Sequence, residues 1–255
     1  MTELLIDEQN SVCTITFNRE NKRNAFDHAF LVLLQHALDK AIASSSIRLI
    51  VLQANGKYFS AGADLAWMQA TIHYTQEENY QDALTLANVL YTLHNSPKPT
   101  IAAIQGGAYG GGVGIVAACD IAIAGHSAHF CFSEVKLGLI PAVISPYIIE
   151  AIGERAAKWL FISADPISAT RAENLGLVHH CVDDSDLVPF TLEYIEKILS
   201  HGPEAILDAK RLVRHISNKI IDKDLSMNTA EIIAKKRVST EAQTRLQAFL
   251  NARKP

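Results

Sequence analysis

Several features that would fix the class of this protein at once are missing from its sequence. No uncharged apolar run reaches bilayer length: Asp120 interrupts the run Gly112–Gly125, and Pro141 and Pro146 interrupt the next. A membrane-spanning helix is therefore not expected. The first residues, MTELLIDEQN, are acidic and mixed, without the charged-then-apolar order of a secretory leader. Basic residues are in deficit, 23 Lys and Arg against 27 Asp and Glu for a net charge of −4, which argues against nucleic acid as a partner. Cysteine is scarce. Cys13, Cys119, Cys131 and Cys181 lie far apart among apolar neighbours and read as free buried thiols of a reduced compartment. None of the ten histidines, the pair His179–His180 included, has H-E-x-x-H or similar spacing, so no metal site is expected. G-x-S-x-G is absent, and neither Cys119 nor Ser60 has a base partner legible in the chain. The expectation is a soluble, cytoplasmic protein.

What the chain does have is a core and a knot of glycine. Hydrophobic residues make up 49 % of its 255 positions, enough for one large domain or one domain with an appendage. SVCTITFNR alternates like a strand and RLIVLQA reads as a buried one, with helical spacing from Phe26 to Ala43 between them and Asp27 as its cap. A second amphipathic stretch, Glu77 to Leu93, ends at SPKP and leads into the strand TIAAIQ. A short helix through Cys119, the strand DIAIAG and another around AHFCFSE follow. This alternation points to a layered α/β core to about residue 185. Beyond it nearly every stretch reads as helical: Leu187–Ser200, Pro203–Ser217, Asp222–Lys236 and Thr240–Asn251. The basic AKKR, Ala234–Arg237, reads as a solvated helix face.

The segment Gly106–Gly114, GGAYGGGVG, holds six of the 13 glycines. Gly112-Val-Gly114-Ile-Val-Ala117 fits the dinucleotide pattern G-x-G-x-x-A, but the helix it opens is too short for the usual crossover, and no Gly-Lys-Ser/Thr follows for a phosphate loop. The other use of such a loop is to bring backbone N–H groups at a helix N-terminus up to a carbonyl oxygen. One donor rarely suffices, and FSAGADL, Phe59–Leu65, is the candidate for a second loop or else an ordinary strand-to-helix turn. Glu134 sits in an apolar segment, HFCFSEVKLGLIPAVI, where it is either a carboxylate raised for acid/base work or a structural one paired with Lys136.

Four motifs occur in register: NRENKRNAF (Asn18–Phe26), GKYFSAGADL (Gly56–Leu65), QGGAYGGGVGIVAACDIAIA (Gln105–Ala124) and FSEVKLGLIPA (Phe132–Ala142). Together they resemble the crotonase, or enoyl-CoA hydratase/isomerase, superfamily. The resemblance implies an α/β spiral of β-β-α units over residues 1–185, holding the acyl-CoA site, and a C-terminal helical region, 186–255, of the same domain used in trimerisation. It implies an acyl-CoA thioester substrate, no cofactor beyond that CoA, and a homotrimer or dimer of trimers. Ala63 and Gly111 match its oxyanion donors, Glu134 one of its two catalytic glutamates, and Lys57, Ala61 and Arg23 its CoA-binding region.

The second glutamate of the usual hydratases falls on Gly114 here, which fits single-glutamate isomerases as well as a hydratase with another way to hold water. SEVKLGLIPAVISPY with AIGERAAKW is similar to the bacterial methylglutaconyl-CoA and isohexenylglutaconyl-CoA hydratases of leucine and acyclic-terpene breakdown. The expectation is thus hydration of a 3-methylglutaconyl-CoA-type substrate, with 3,2-enoyl-CoA isomerisation as the alternative. A further alternative is a non-catalytic acyl-CoA binder or an RNA-binding relative. Against RNA, the first helix carries only Lys40.

Overall fold

The computed structural model describes residues 2–252. Its first element is a hairpin of β1 (Leu4–Gln9) and β2 (Val12–Phe17), turned by Asn10 and Ser11 at φ 50° and 65°. Two successive left-handed residues give the turn that matches strand twist. Alternation in β2 buries Cys13, Ile15 and Phe17. Asp27 then caps α1 (His28–Ala43), its side chain accepting the Phe30 N–H at 3.0 Å.

From there the chain repeats one unit. A strand joins the large sheet, a short strand joins a second sheet, and helix follows. The large-sheet strands are β3 (Leu49–Ala54), β5 (Thr100–Ile104) and β7 (Ile121–Gly125); the short ones are β4 (Tyr58–Ser60), β6 (Gly107–Tyr109) and β8 (His129–Cys131). Their helices are α2 (Leu65–Thr71) with α3 (Gln76–Asn95), then α4 (Gly111–Ala118), then α5 (Ser145–Ser163). After β9 (Ile167–Ser168) and α6 (Ala169–Leu175), β10 (His180–Val182) closes the large sheet, order β1-β2-β3-β5-β7-β10. The small sheet runs β4-β6-β8-β9. This is the expected β-β-α spiral. The runs LIVLQA, TIAAI and IAIAG are nearly continuous in apolar residues because they pair in parallel with both faces covered.

Contacts divide the chain into Met1–Tyr194 and Ile195–Pro255, a boundary within α7 (Leu187–Ser200). The second unit contains α8 (Pro203–Ile216), α9 (Lys223–Arg237) and α10 (Thr240–Asn251). Within it the Glu241 carboxylate accepts the N–H groups of Glu204 and Ala205 at the start of α8, at 2.9 and 2.8 Å. No helix among the described residues is long and apolar enough to cross a membrane. All four cysteines are free, three of them buried and Cys181 partly so.

Candidate active site

The loop between β4 and α2 is fixed almost atom by atom. Ser60 Oγ donates to the Asn24 carbonyl at 2.9 Å and accepts the Gly62 N–H at 3.1 Å. The Ala61 N–H donates to the Arg23 carbonyl, 2.9 Å. Phe26 donates to the Gly62 carbonyl and accepts from the Asp64 N–H, both at 2.9 Å, a one-residue parallel bridge of Phe26 with Ala63. In such a bridge the central residue's own N–H points away from its partner. The Ala63 N–H makes no hydrogen bond among the described residues. Asp64 next caps α2, its Oδ1 accepting from Ala66 at 2.9 Å and Trp67 at 3.4 Å.

The second loop is made by glycine. A Cβ at Gly106, φ +58°, would fall 1.8 Å from the Lys57 carbonyl oxygen, so only glycine fits. Gly110, at φ 48°, donates to the Cys131 carbonyl at 2.9 Å and turns the chain into α4. Its carbonyl takes the Val113 and Gly114 N–H groups at 2.9 and 3.2 Å. The Gly111 N–H, in the first turn of the helix, is one of the donors a helix cannot satisfy, and no acceptor meets it among the described residues. The macrodipole adds positive partial charge there. The two loops touch: a Cβ at Gly112 would lie 2.9 Å from Ser60 Cβ, and one at Gly62 would lie 2.8 Å from the Tyr109 carbonyl oxygen.

Glu134 opens a short 3₁₀ turn, Glu134–Leu137, that follows β8. Its Oε1 lies 3.1 Å from where a Cβ of Gly110 would sit, so the carboxylate stands at the N-terminus of α4. Its Oε2 is buried without a hydrogen-bond partner among the described residues. Burial pushes the carboxyl above its ordinary 4.5, against a smaller opposing effect of its own backbone N–H. Lys136 is not its partner: the two form no ion pair among the described residues.

Around these polar groups the wall is apolar. A Cβ at Gly111 would meet Phe26 Cζ at 2.6 Å and Leu86 Cδ2 at 3.0 Å. One at Gly114 would meet Ile144 Cγ2 at 2.3 Å and Leu90 Cδ1 at 3.5 Å. Gly114, where the resemblance to usual hydratases implies a second glutamate, is thus packed against the buried Ile144 of a distant segment. Trp67 stands behind Phe26, ring centroids 6.5 Å apart, and donates its Nε1–H to Asp82 at 2.9 Å.

Arg23, Lys57 and Ala61 come together at the edge of β4. The Arg23 guanidinium lies 5.3 Å over the Tyr58 ring, and exposed Lys57 is the residue before it. Sequence reasoning missed Ile144, Leu86 and Leu90, although the last two are four apart on α3 and share a helix face. It also passed over Arg19, which has no local signal.

A family model described as enoyl-CoA hydratase/isomerase matches residues 7–255. Among solved structures, a Legionella pneumophila protein of the enoyl CoA hydratase/isomerase (crotonase) type is 56 % identical, with TM-score 0.97 over 99 % of this chain and 97 % of its own. An enoyl-CoA hydratase from Shewanella pealeana is 39 % identical, with TM-score 0.94 over 100 % of this chain and 95 % of that one. The 2,3-dehydroadipyl-CoA hydratase of Escherichia coli K12 is 29 % identical over 261 residues, 100 % of this chain and 98 % of the relative.

Proposed function

The chain belongs to the enoyl-CoA hydratase/isomerase family, and from that premise we propose that it adds water to a 2-enoyl-CoA thioester. Glu134 serves as acid and base, and the Ala63 and Gly111 N–H groups hold the thioester oxygen. The observation that carries this reading is the buried, unpartnered Oε2 of Glu134 beside a helix N-terminus whose first N–H is also unpartnered. As water attacks C3, the Glu134 carboxylate takes its proton, and the hydroxyl remains on C3. Electron density moves through C2 onto the thioester oxygen, where each N–H donor is worth ~10²–10³ in rate. The protonated Glu134 then returns the same proton to C2. A carboxyl raised by burial gives up its proton less readily than an exposed glutamate, which suits it to hold water's proton until C2 takes it. All atoms of the product come from thioester and water, so this reading calls for no further cofactor. Arg23, Lys57 and Ala61 take the CoA.

The substrate class we favour is a branched enoyl-CoA with a distal carboxylate, of the 3-methylglutaconyl-CoA type. A full-length relative named for 2,3-dehydroadipyl-CoA, another acyl group ending in a carboxylate, supports this class. So does the missing second carboxylate: with Ile144 against Gly114, substrate binding energy must do more of the positioning of the reacting carbons and water. The same feature favours the second reading, a 3,2-enoyl-CoA isomerase in which Glu134 carries a proton between C2 and C4. The test is kcat/KM for 3-methylglutaconyl-CoA, 2,3-dehydroadipyl-CoA and crotonyl-CoA, followed by loss of enoyl-thioester absorbance, beside a 3-enoyl-CoA isomerisation assay. Crotonyl-CoA equal to or better than the other two makes the enzyme a generic hydratase. Activity on the 3-enoyl substrate alone makes it an isomerase.

A further inference from the structure

Arg19 is 3 % exposed, yet it carries a charge that cannot be shed. Its Nη2 donates to Asp27 Oδ2 at 2.8 Å and lies 3.6 Å from Asp64 Oδ2; Nε stands 3.3 Å from Glu3 Oε1, and the guanidinium stacks 5.7 Å over the Phe30 ring. Both aspartates are helix caps, Asp27 for α1 and Asp64 for α2. They are also the residues immediately after Phe26 and Ala63, the two members of the single-residue bridge. One guanidinium therefore ties together the two segments whose backbone pairing aims the Ala63 N–H. Lys22 pairs with Asp64 at 2.8 Å and acts on Asp27 through its charge alone, so it grips one segment directly and not the pair.

We propose that Arg19 is a positioning residue for the Ala63 N–H donor, acting through Asp27 and Asp64 across the Phe26–Ala63 bridge. The proposal rests on the oxyanion reading above. A donor contributes fully only if held to within about 0.5 Å of its working place. The bridge alone supplies two hydrogen bonds. The side of it facing α1 and α2 is locked by the buried cation.

The test measures the thioester carbonyl stretch of isotope-labelled butyryl-CoA, which cannot react, bound to the wild-type enzyme and to Arg19→Met, Arg19→Lys and Asp27→Asn, together with kcat and KM for the best enoyl-CoA. Hydrogen bonding to the carbonyl lowers its stretch. Arg19→Met is expected to lose most of that lowering and to drop kcat on the order of 10- to 100-fold with KM within about twofold. Arg19→Lys keeps the charge but not the fork, and is expected to recover stability with only part of the lowering. Asp27→Asn keeps the cap, loses the ion pair and should fall between; it also carries the test if Arg19→Met does not fold. Lys98→Met is the control for general destabilisation, since buried Lys98 donates to the Ala41 and Ser44 carbonyls at the far end of α1. It should lower thermal stability and leave the stretch unmoved. Wild-type stretch and kcat in Arg19→Met overturn the proposal, as does an equal effect from Lys98→Met. A wild-type complex with no lowering at all shows instead that the oxyanion reading fails, and Arg19 then has no donor to position.

Discussion

Two loops each leave one backbone N–H unused among the described residues, and they do it by different physics. Around Gly111 the work is done by absence: Gly106 and Gly112 let the chain come close to the Lys57 carbonyl and to Ser60, Gly110 leaves room for the Glu134 carboxylate, and no ion pair among the described residues holds the loop. Around Ala63 it is done by presence: side-chain caps, a backbone bridge and a buried guanidinium with two aspartates. A loop built on sterics fails when an atom is added. A loop built on charge fails when a group is removed or protonated. Glu134 belongs spatially to the first.

The largest effect should come from taking away the group proposed as proton carrier. Glu134→Gln keeps size and hydrogen bonding but cannot exchange a proton, and turnover should fall ~10²–10⁴-fold with acyl-CoA binding nearly intact. Steady-state kinetics beside titration calorimetry with a product analogue checks it. Retention of more than about a tenth of the activity removes Glu134 from the mechanism.

Next come the additions that separate the loops. Gly106→Ala forces a left-handed alanine and puts its Cβ 1.8 Å from a backbone oxygen, and should cost about 3 kcal/mol or more. In the charged loop Ala63→Gly adds no atom and should cost only about 0.5–1 kcal/mol, through unfolded-state entropy. Denaturant unfolding of the two variants decides, and equal losses would erase the distinction drawn between the loops.

A smaller, more selective effect is expected at Gly114. Gly114→Glu alone drives a side chain into Ile144 Cγ2, at 2.3 Å from the new Cβ, and should cost about 1–3 kcal/mol as overpacking. Gly114→Glu with Ile144→Ala opens the notch. That double variant should fold better than the single one and shift the kcat/KM ratio toward crotonyl-CoA. An unchanged ratio would mean that a carboxylate at this position does not govern substrate choice.

Much of this architecture was readable from local pattern. Asp27 before an apolar-periodic stretch is a cap in the structure, and the helices Leu187–Ser200 and Thr240–Asn251 have the expected ends. Glu134 in an apolar segment does carry a pKa raised by burial. The three-residue strands β6 and β8 are too short to show a period, and what defines them is pairing with segments some twenty residues away. Ile144 against Gly114, and Arg19 against Asp64, are long-range meetings with no local trace. The glycine count marked where backbones meet. It said nothing of what they meet.

The smallest effect lies in pH, where the two loops part most cleanly. Asp64 is held below its ordinary 3.8, chiefly by the Lys22 hydrogen bond, with burial opposing and the Ala66 and Trp67 N–H groups assisting. For Asp27 burial is the largest single influence and would raise it, but hydrogen bonds from Arg19 and the Phe30 N–H, with the charges of Arg19 and Lys22, leave it lowered. Depressed folded values mean that this stabilisation is complete above the ordinary carboxylate value and is lost as pH falls through the folded ones, below 3.8. Glu134 has the opposite sign: its folded value is raised, so the carboxylate proposed to accept water's proton is depleted at a pH still above 4.5. The glycine loop, Gly106–Gly114, has Tyr109 as its one titratable side chain and contributes no acid step. On acidification from neutrality, activity should therefore fall first and the fold later, leaving a window of folded but inactive enzyme. In Arg19→Met the acid unfolding midpoint should move to higher pH, because Asp27 loses the partner that lowers it, while the activity limb set by Glu134 stays in place. Profiles of kcat/KM and of thermal midpoint against pH, for wild type and variant, test both statements. If activity and fold are lost together in the wild-type enzyme, Glu134 and the aspartate clamp are not titrating separately, and the contrast between the loops does not extend to their response to acid.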